Sequence, residues 1–412
     1  MAVETGPIGR RELSDPLDDA SLRRMRAYRL GRVRDILTER GLGAALLFDP
    51  CNIRYATGSR NMAVWTLHNH VRCAFVPAEG LPVLFEFGAG RWPVDAEKLE
   101  TVGEVRPAGG WTHFYAGSRK AEYAEQWAGE IAALVKSHCG AERRIAVDHV
   151  DPLGAEALSA RQLSIVDGEG LLEHARLIKS VDELTCIRHA IDVAELGMAR
   201  MREALHPGLR ENELWSVLHQ TNIAHGGEWI ETRLLSSGPR TNPWMQECGD
   251  RPIESGDLVA FDTDMIGPHG YCADISRTYQ CGPQQPTPEQ RRLYRHAFEQ
   301  LQHNRQIFRP GRTLRDVVED EWAIPEEFSP YRYGLAHGVG LKDEYPFLPN
   351  RDDIDRLSDP DQVIEPGMVF SLESYIGAVG GREGVKLEDQ LLISNDGPEL
   401  LSRFPFEDVL LG

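Results

Sequence analysis

Carboxylates set among apolar runs constrain this chain more than any other feature of its sequence. In DLVAFDTDMIGPHGYCADISRTY, residues 257–279, an apolar run delivers Asp262 and Asp264 lies two residues on. Strand positions i and i+2 share a face, so the spacing predicts both carboxylates pointing into one space. A turn containing Gly267, Pro268 and Gly270 reverses the chain, and the returning strand brings Asp274 within reach. Three such charges would repel one another and some would have to protonate. A divalent cation removes that repulsion. The plainer explanation is a solvent-facing strand face, but the apolar run feeding Asp262 argues against exposure.

Further acids and one histidine follow in order. YGLAHGVGLKDEYP, residues 333–346, carries His337 in what reads as a glycine-flanked turn. A lone histidine is more often structural than a ligand. GMVFSLESYIG then places Glu373 after an apolar strand, and VKLEDQLLIS places Glu388 in the middle of another, with Asp389 beside it. Buried strands rarely carry a carboxylate unless something compensates it. The ordered set Asp, Asp, His, Glu, Glu on successive strands and turns describes a dinuclear site for hard metals with O and N ligands.

At 412 residues the chain exceeds what one core usually supports. Residues 1–20 read as a polar tail without the apolar stretch of a signal peptide. Residues 21–175 alternate helices and strands: a helix from Leu22 to about Arg40, a strand at 44–48, a hairpin at 72–87 turning at Glu79-Gly80, a helix at 121–136 and a strand at 144–148. That alternation indicates a small α/β domain. Residues 176–412 open on a helix announced by the capping-box spacing of Ser180 and Glu183. Leu184, Ile187, Ile191, Ala194, Met198, Met201 and Leu205 form its apolar stripe, up to Pro207-Gly208. The fold class expected for the whole is α+β. A net charge of -19 argues against nucleic acid or an anionic membrane as partner, and no apolar run approaches the roughly 20 residues of a membrane span. Seven scattered cysteines without CxxC spacing read as reduced thiols, so a cytoplasmic location is expected.

The order of the acids, with the contexts FDTD, YCADISRT, HGVG, SLES and KLEDQ, resembles the creatinase, prolidase and methionine-aminopeptidase superfamily. The resemblance implies a creatinase-type N-terminal domain followed by a pita-bread catalytic domain that binds metal, and a homodimer. It maps Asp262, Asp274, His337, Glu373 and Glu388 onto the metal ligands.

Three departures separate the chain from the peptidases of that superfamily. The stretch SSGPRTNPWMQECGDRPI, residues 236–253, lacks the histidine they carry before the first metal aspartate. Asp343 holds the place of their second histidine, and Asp264 that of a glycine. These departures, with GGEWIETRLLSSGPRTNPWMQECG and NMAVWTLHN, resemble the dimethylsulfoniopropionate lyases of the superfamily. That resemblance implies release of dimethyl sulfide and acrylate. It implies two divalent metal ions, iron first with Mn, Zn or Co as alternatives, on the six ligands Asp262, Asp264, Asp274, His337, Glu373 and Glu388. It makes Asp343 the base.

The chemistry is consistent with the residues. Breaking the substrate is an elimination, in which a metal-bound carboxylate acidifies its neighbouring C–H and a side-chain base takes the proton. A sulfonium favours an aromatic face, which makes Tyr333 and Trp65 the first candidates, followed by Trp229 and Trp244. Arg240 is a candidate for the substrate carboxylate, whereas Arg277 in its DISRT context reads as structural. The alternative activity is hydrolysis of Xaa-Pro peptides or another small C–N substrate. That would need a histidine from elsewhere, for example His269, His225 or His68.

Overall fold

The computed structural model of the chain describes residues 13–412. It divides into two compact units, residues 18–176 and residues 177–412, the latter joined by residues 13–17. The expected polar tail lies outside the described residues as far as residue 12. Its last part is corrected, because Asp18 caps the Ser21 N–H and starts a helix at Asp19, which runs to Glu39.

In the N-terminal unit a six-stranded sheet has the order 104–107, 83–86, 73–77, 44–47, 144–147, 164–167. The strand Ala44–Leu47 is buried along its whole length, as expected for a central strand flanked on both sides. It pairs parallel to Arg144–Val147 and antiparallel to Cys73–Pro77, which with Val83–Glu86 forms the expected hairpin. The helix Lys120–His138 lays Trp127, Ile131 and Val135 into the core, where Trp127 meets Trp111 with ring centroids 4.3 Å apart.

The second unit opens on the helix Val181–Ala204, whose capping box is formed as expected. Its buried face is broader than the single stripe: Cys186, Ala190, Val193 and Gly197 are buried beside Ile187, Ile191, Ala194, Met198 and Met201. Two three-stranded antiparallel sheets follow. One joins Leu235–Ser237, Leu258–Asp262 and Ser276–Gln280; the other joins Trp229–Ile230, Met265–Ile266 and Cys272–Ala273. A five-stranded antiparallel sheet has the order 343–348, 336–339, 369–376, 385–394, 397–400. The helix Pro288–Ile307 packs on it, its Ala297 carbonyl accepting a hydrogen bond from the Ser374 hydroxyl at 3.2 Å. The architecture is α+β, as the sequence indicates.

Two local expectations are corrected. His337 lies in the strand Ala336–Val339 and not in a turn, and Asp343 opens the next strand of the same hairpin. Gly338 permits this, since a Cβ there would fall 2.4 Å from the Tyr345 carbonyl oxygen, in a ladder that shifts register between His337 and Gly338. Asp264 in turn does not continue the strand that ends at Asp262; its φ of 34° is left-handed.

The tip of the 265–273 hairpin rests on the long helix, where a Cβ at Gly267 would come 2.8 Å from the Ala190 Cβ. Gly267→Ala should therefore cost about 1–3 kcal/mol through overpacking, read as a lower urea midpoint at unchanged slope. An unchanged midpoint would show that this contact does not set the position of the hairpin.

Candidate metal centre

Four strands carry or flank the acids. Asp262 ends one strand, Asp274 lies just before its antiparallel partner, and Ser276 pairs with Asp262 in the ladder. Glu373 and Glu388 stand directly opposite each other on the two long strands of the five-stranded sheet. Like charges in that register destabilise a sheet, so the pairing requires a cation between them. The predicted residues come together. Asp262, Asp264 and Asp274 form one group whose ligand atoms all lie within 4.8 Å of one another; Asp274, His337 and Glu388 form a second, and Asp262, Glu373 and Glu388 a third. None of the six residues is more than 9% exposed.

The donor set fits metal ions on two observations. Asp262 Oδ1, Asp274 Oδ1 and Glu388 Oε1 are buried and accept no hydrogen bond, a cost that a bound cation would remove. His337 is oriented for ligation, its Nδ1 lying 2.9 Å from the Gly338 carbonyl oxygen, to which a proton on that nitrogen donates. Its Nε2 then faces the acids, 3.3 Å from Asp274 Oδ2 and 3.6 Å from Glu373 Oε1.

Residues 185–395 match the family described as Metallopeptidase family M24, and residues 29–178 match the creatinase/prolidase N-terminal domain. The chain belongs to metallopeptidase family M24. It is 41% identical over 397 residues to the dimethylsulfoniopropionate lyase DddP of Roseovarius nubinhibens, covering 95% of this chain and 88% of that protein. It is 38% identical over 402 residues to the protein of the same name from Roseobacter denitrificans, covering 96% and 89%. Among solved structures it is similar to a Xaa-Pro dipeptidase from Bacillus anthracis, with a TM-score of 0.74 at 22% identity over 92% of this chain and 98% of that one. That likeness shows the fold, which is the one the resemblance implies.

This M24 chain places other residues around the acids that escape the sequence reading. Lys386 is fully buried, and its Nζ lies 3.1 Å from Asp262 Oδ2, 2.6 Å from Glu373 Oε2 and 2.9 Å from Glu388 Oε2. Strand alternation is the signal that points to it, since residues 386 and 388 share a face. Ser276 donates to Glu388 Oε2 at 2.7 Å, and Thr232 donates to Asp264 Oδ2 at 2.5 Å. Arg277 is structural, as read. Its guanidinium binds Asp389 Oδ1 at 2.9 Å and the Glu388 carbonyl at 2.7 Å, holding the strand that carries Glu388.

The candidate substrate residues are dispersed. Trp244 and Tyr333 present their rings to the Lys386 ammonium, with centroids at 5.6 Å and 5.8 Å, and Tyr375 stacks on Trp244. Trp229 stands in the strand paired with Met265–Ile266. Trp65 belongs to the N-terminal unit, where it packs against Phe87 and Tyr115. Arg240 has partners of its own. Its guanidinium is already paired with the buried carboxylate of Glu211 and donates to the Glu247 carbonyl at 2.7 Å, because Glu211 would otherwise be a buried charge without a cation.

Charge crowding shifts the titration of the acids. Burial, and then Asp262, push the Asp274 carboxyl up to about 7. Burial and neighbouring carboxylates also raise Asp264 and Glu388. Burial opposes the charged form of His337, but Asp274 and Glu373 outweigh it and raise its pKa. Asp262 moves the other way: burial works against ionisation, and Lys386 overcomes it.

A group whose folded pKa is raised contributes stability below its unfolded pKa and loses it as pH rises through the folded value. The metal-free protein should therefore melt at a lower temperature as pH is raised from about 5 to about 8, at roughly 2–4 °C per kcal/mol lost. Adding a divalent metal at the upper pH should restore the melting temperature. A metal-free protein that gains stability over that range would contradict mutual repulsion among these acids.

Proposed function

We propose that this chain is a metal-dependent lyase that cleaves dimethylsulfoniopropionate to dimethyl sulfide and acrylate. The observation that carries the reading is similarity along about 95% of the chain to two proteins of that name. Asp343 supports it. Its side chain is 61% exposed and its Oδ1 lies 3.9 Å from His337 Nδ1, which suits a carboxylate that meets a substrate next to the ligand histidine. The protein packed around it raises its pKa, with Asp262, Glu373 and Glu344 adding and His337 opposing. That is the direction a general base needs.

In this reading Asp343 takes the proton from the carbon beside the substrate carboxylate. The C–H electron pair becomes the new C=C bond, the C–S bond breaks with its pair on sulfur, and neutral dimethyl sulfide leaves acrylate behind. Asp262, Asp264, Asp274, His337, Glu373 and Glu388 would hold two divalent ions, iron first, with Mn, Zn or Co as alternatives. Bound there, the ions would supply Lewis acidity at the substrate carboxylate. Trp244 and Tyr333 offer the aromatic faces for the sulfonium, with Trp65 and Trp229 as further candidates. A cytoplasmic homodimer completes the proposal. No helix among the described residues is long and apolar enough to cross a membrane.

Of the histidines named as substitutes for hydrolysis, His269 is engaged elsewhere, its Nε2 lying 3.0 Å from both oxygens of Asp15.

Headspace gas chromatography of metal-analysed protein with dimethylsulfoniopropionate, beside a Xaa-Pro dipeptide assay, tests the substrate. Dimethyl sulfide with an idle dipeptide is expected, and the reverse would replace the lyase with a hydrolase. Asp343→Asn should lower turnover by about 10²–10⁴-fold at unchanged metal content. Near-normal turnover would remove Asp343 as the base.

A further inference from the structure

Lys386 is the residue the lyase chemistry leaves unexplained. A buried ammonium is costly unless several partners compensate it, and all the polar contacts of this one lie within the acid cluster. Besides Asp262, Glu373 and Glu388, its Nζ donates to the Ser276 hydroxyl at 2.7 Å. The contacts divide the carboxylates by oxygen atom. Asp262 Oδ2 and Glu388 Oε2 face the ammonium, while Asp262 Oδ1, Glu388 Oε1 and Asp274 Oδ1 remain without a hydrogen bond. The lysine therefore neutralises part of the cluster and leaves one oxygen each of Asp262, Asp274 and Glu388 without a hydrogen bond.

We propose that Lys386 is a permanent counter-charge that balances the fifth carboxylate of the site, Asp264. Asp262, Asp264, Asp274, Glu373 and Glu388 carry five negative charges when ionised. One fixed ammonium leaves four, which two divalent ions match. Asp264 is the acid that costs the backbone most to place, with its φ of 34°, and it accepts a hydrogen bond from Thr232 but, among the described residues, is paired with no Lys or Arg. In a dry space the surplus charge is felt by the whole cluster, so Lys386 offsets it without touching it. The charge balance rests on the two-ion reading above; the stability coupling between Lys386 and Asp264 does not.

The test uses Lys386→Met, Asp264→Asn and the double variant, each compared with the full-length parent chain. Asparagine tolerates left-handed backbone, so Asp264→Asn changes charge without straining the chain. In metal-free form at pH 8, Lys386→Met should melt at least 5 °C below the parent, and Asp264→Asn in the same chain should recover at least half of that loss. If Lys386→Met alone does not fold without metal, a folded double variant makes the same point. Competition of Mn²⁺ with a chromogenic chelator should show Lys386→Met binding the ion at least tenfold more tightly, because a repelling charge has gone.

Equal stability of Lys386→Met and the parent, or no recovery on adding Asp264→Asn, would overturn the proposal. So would weaker Mn²⁺ binding by Lys386→Met, which would make the lysine an orienting group. A parent chain that binds a single Mn²⁺ would fail the two-ion reading, while the metal-free comparison would still judge Lys386.

Discussion

Mutual repulsion among buried carboxylates is the constraint on which the arrangement of the C-terminal unit depends. Five acids share one space with a histidine and a lysine, and Glu373 faces Glu388 across the ladder of two buried strands. Such a cluster is paid for only by cations, and the chain supplies one of them itself in Lys386. Much of the surrounding polar chemistry holds the acids in place. Arg277 ties Asp389 and the Glu388 carbonyl to its own strand, Ser276 binds Glu388, and Thr232 binds Asp264. The long helix fixes the hairpin between the three aspartates through the contact of Gly267 with Ala190.

Burial divides the acids by task. Asp262, Asp274 and Glu388 each keep one buried oxygen without a hydrogen bond and suit ions, whereas Asp343 is open at the edge and suits a proton. One hairpin accomplishes this division. His337 and Asp343 lie on its two strands, close enough for their side chains to feel each other, and Gly338 lets the backbones approach. The same fold supports peptide hydrolysis in other proteins. In the proposed reading, what separates the chemistries is a carboxylate at 343 and no histidine in the stretch 236–253.

The aromatic residues show how far one side chain can serve two environments. Trp244 and Tyr333 stand around the Lys386 ammonium, and Tyr375 backs Trp244. Rings that face a cation in the chain itself have the electrostatics that a sulfonium would meet. Arg240 gives the opposite lesson. A cation expected to be available is held by Glu211, a buried acid that lies far from it in sequence.

Much of the fold and the acid set was legible in the residues alone. Asp262, Glu373 and Glu388 stand out because apolar strands rarely hold acids without a reason, and the Ser180–Glu183 cap marks its helix because the signal is local. Periodicity and capping act between near neighbours, so a sequence carries them in plain order. What required the tertiary structure acts between residues far apart. The pairing of Lys386 with Asp262, the capture of Arg240 by Glu211 and the left-handed turn at Asp264 each depend on which strands lie side by side. The strand position of His337 is of the same kind. Its flanking glycines read as a turn, and only the close approach of the neighbouring strand at Gly338 shows that they serve a ladder. Chemistry written into residue types is visible in one dimension, whereas charge compensation is a property of distance and is decided only when the chain has folded.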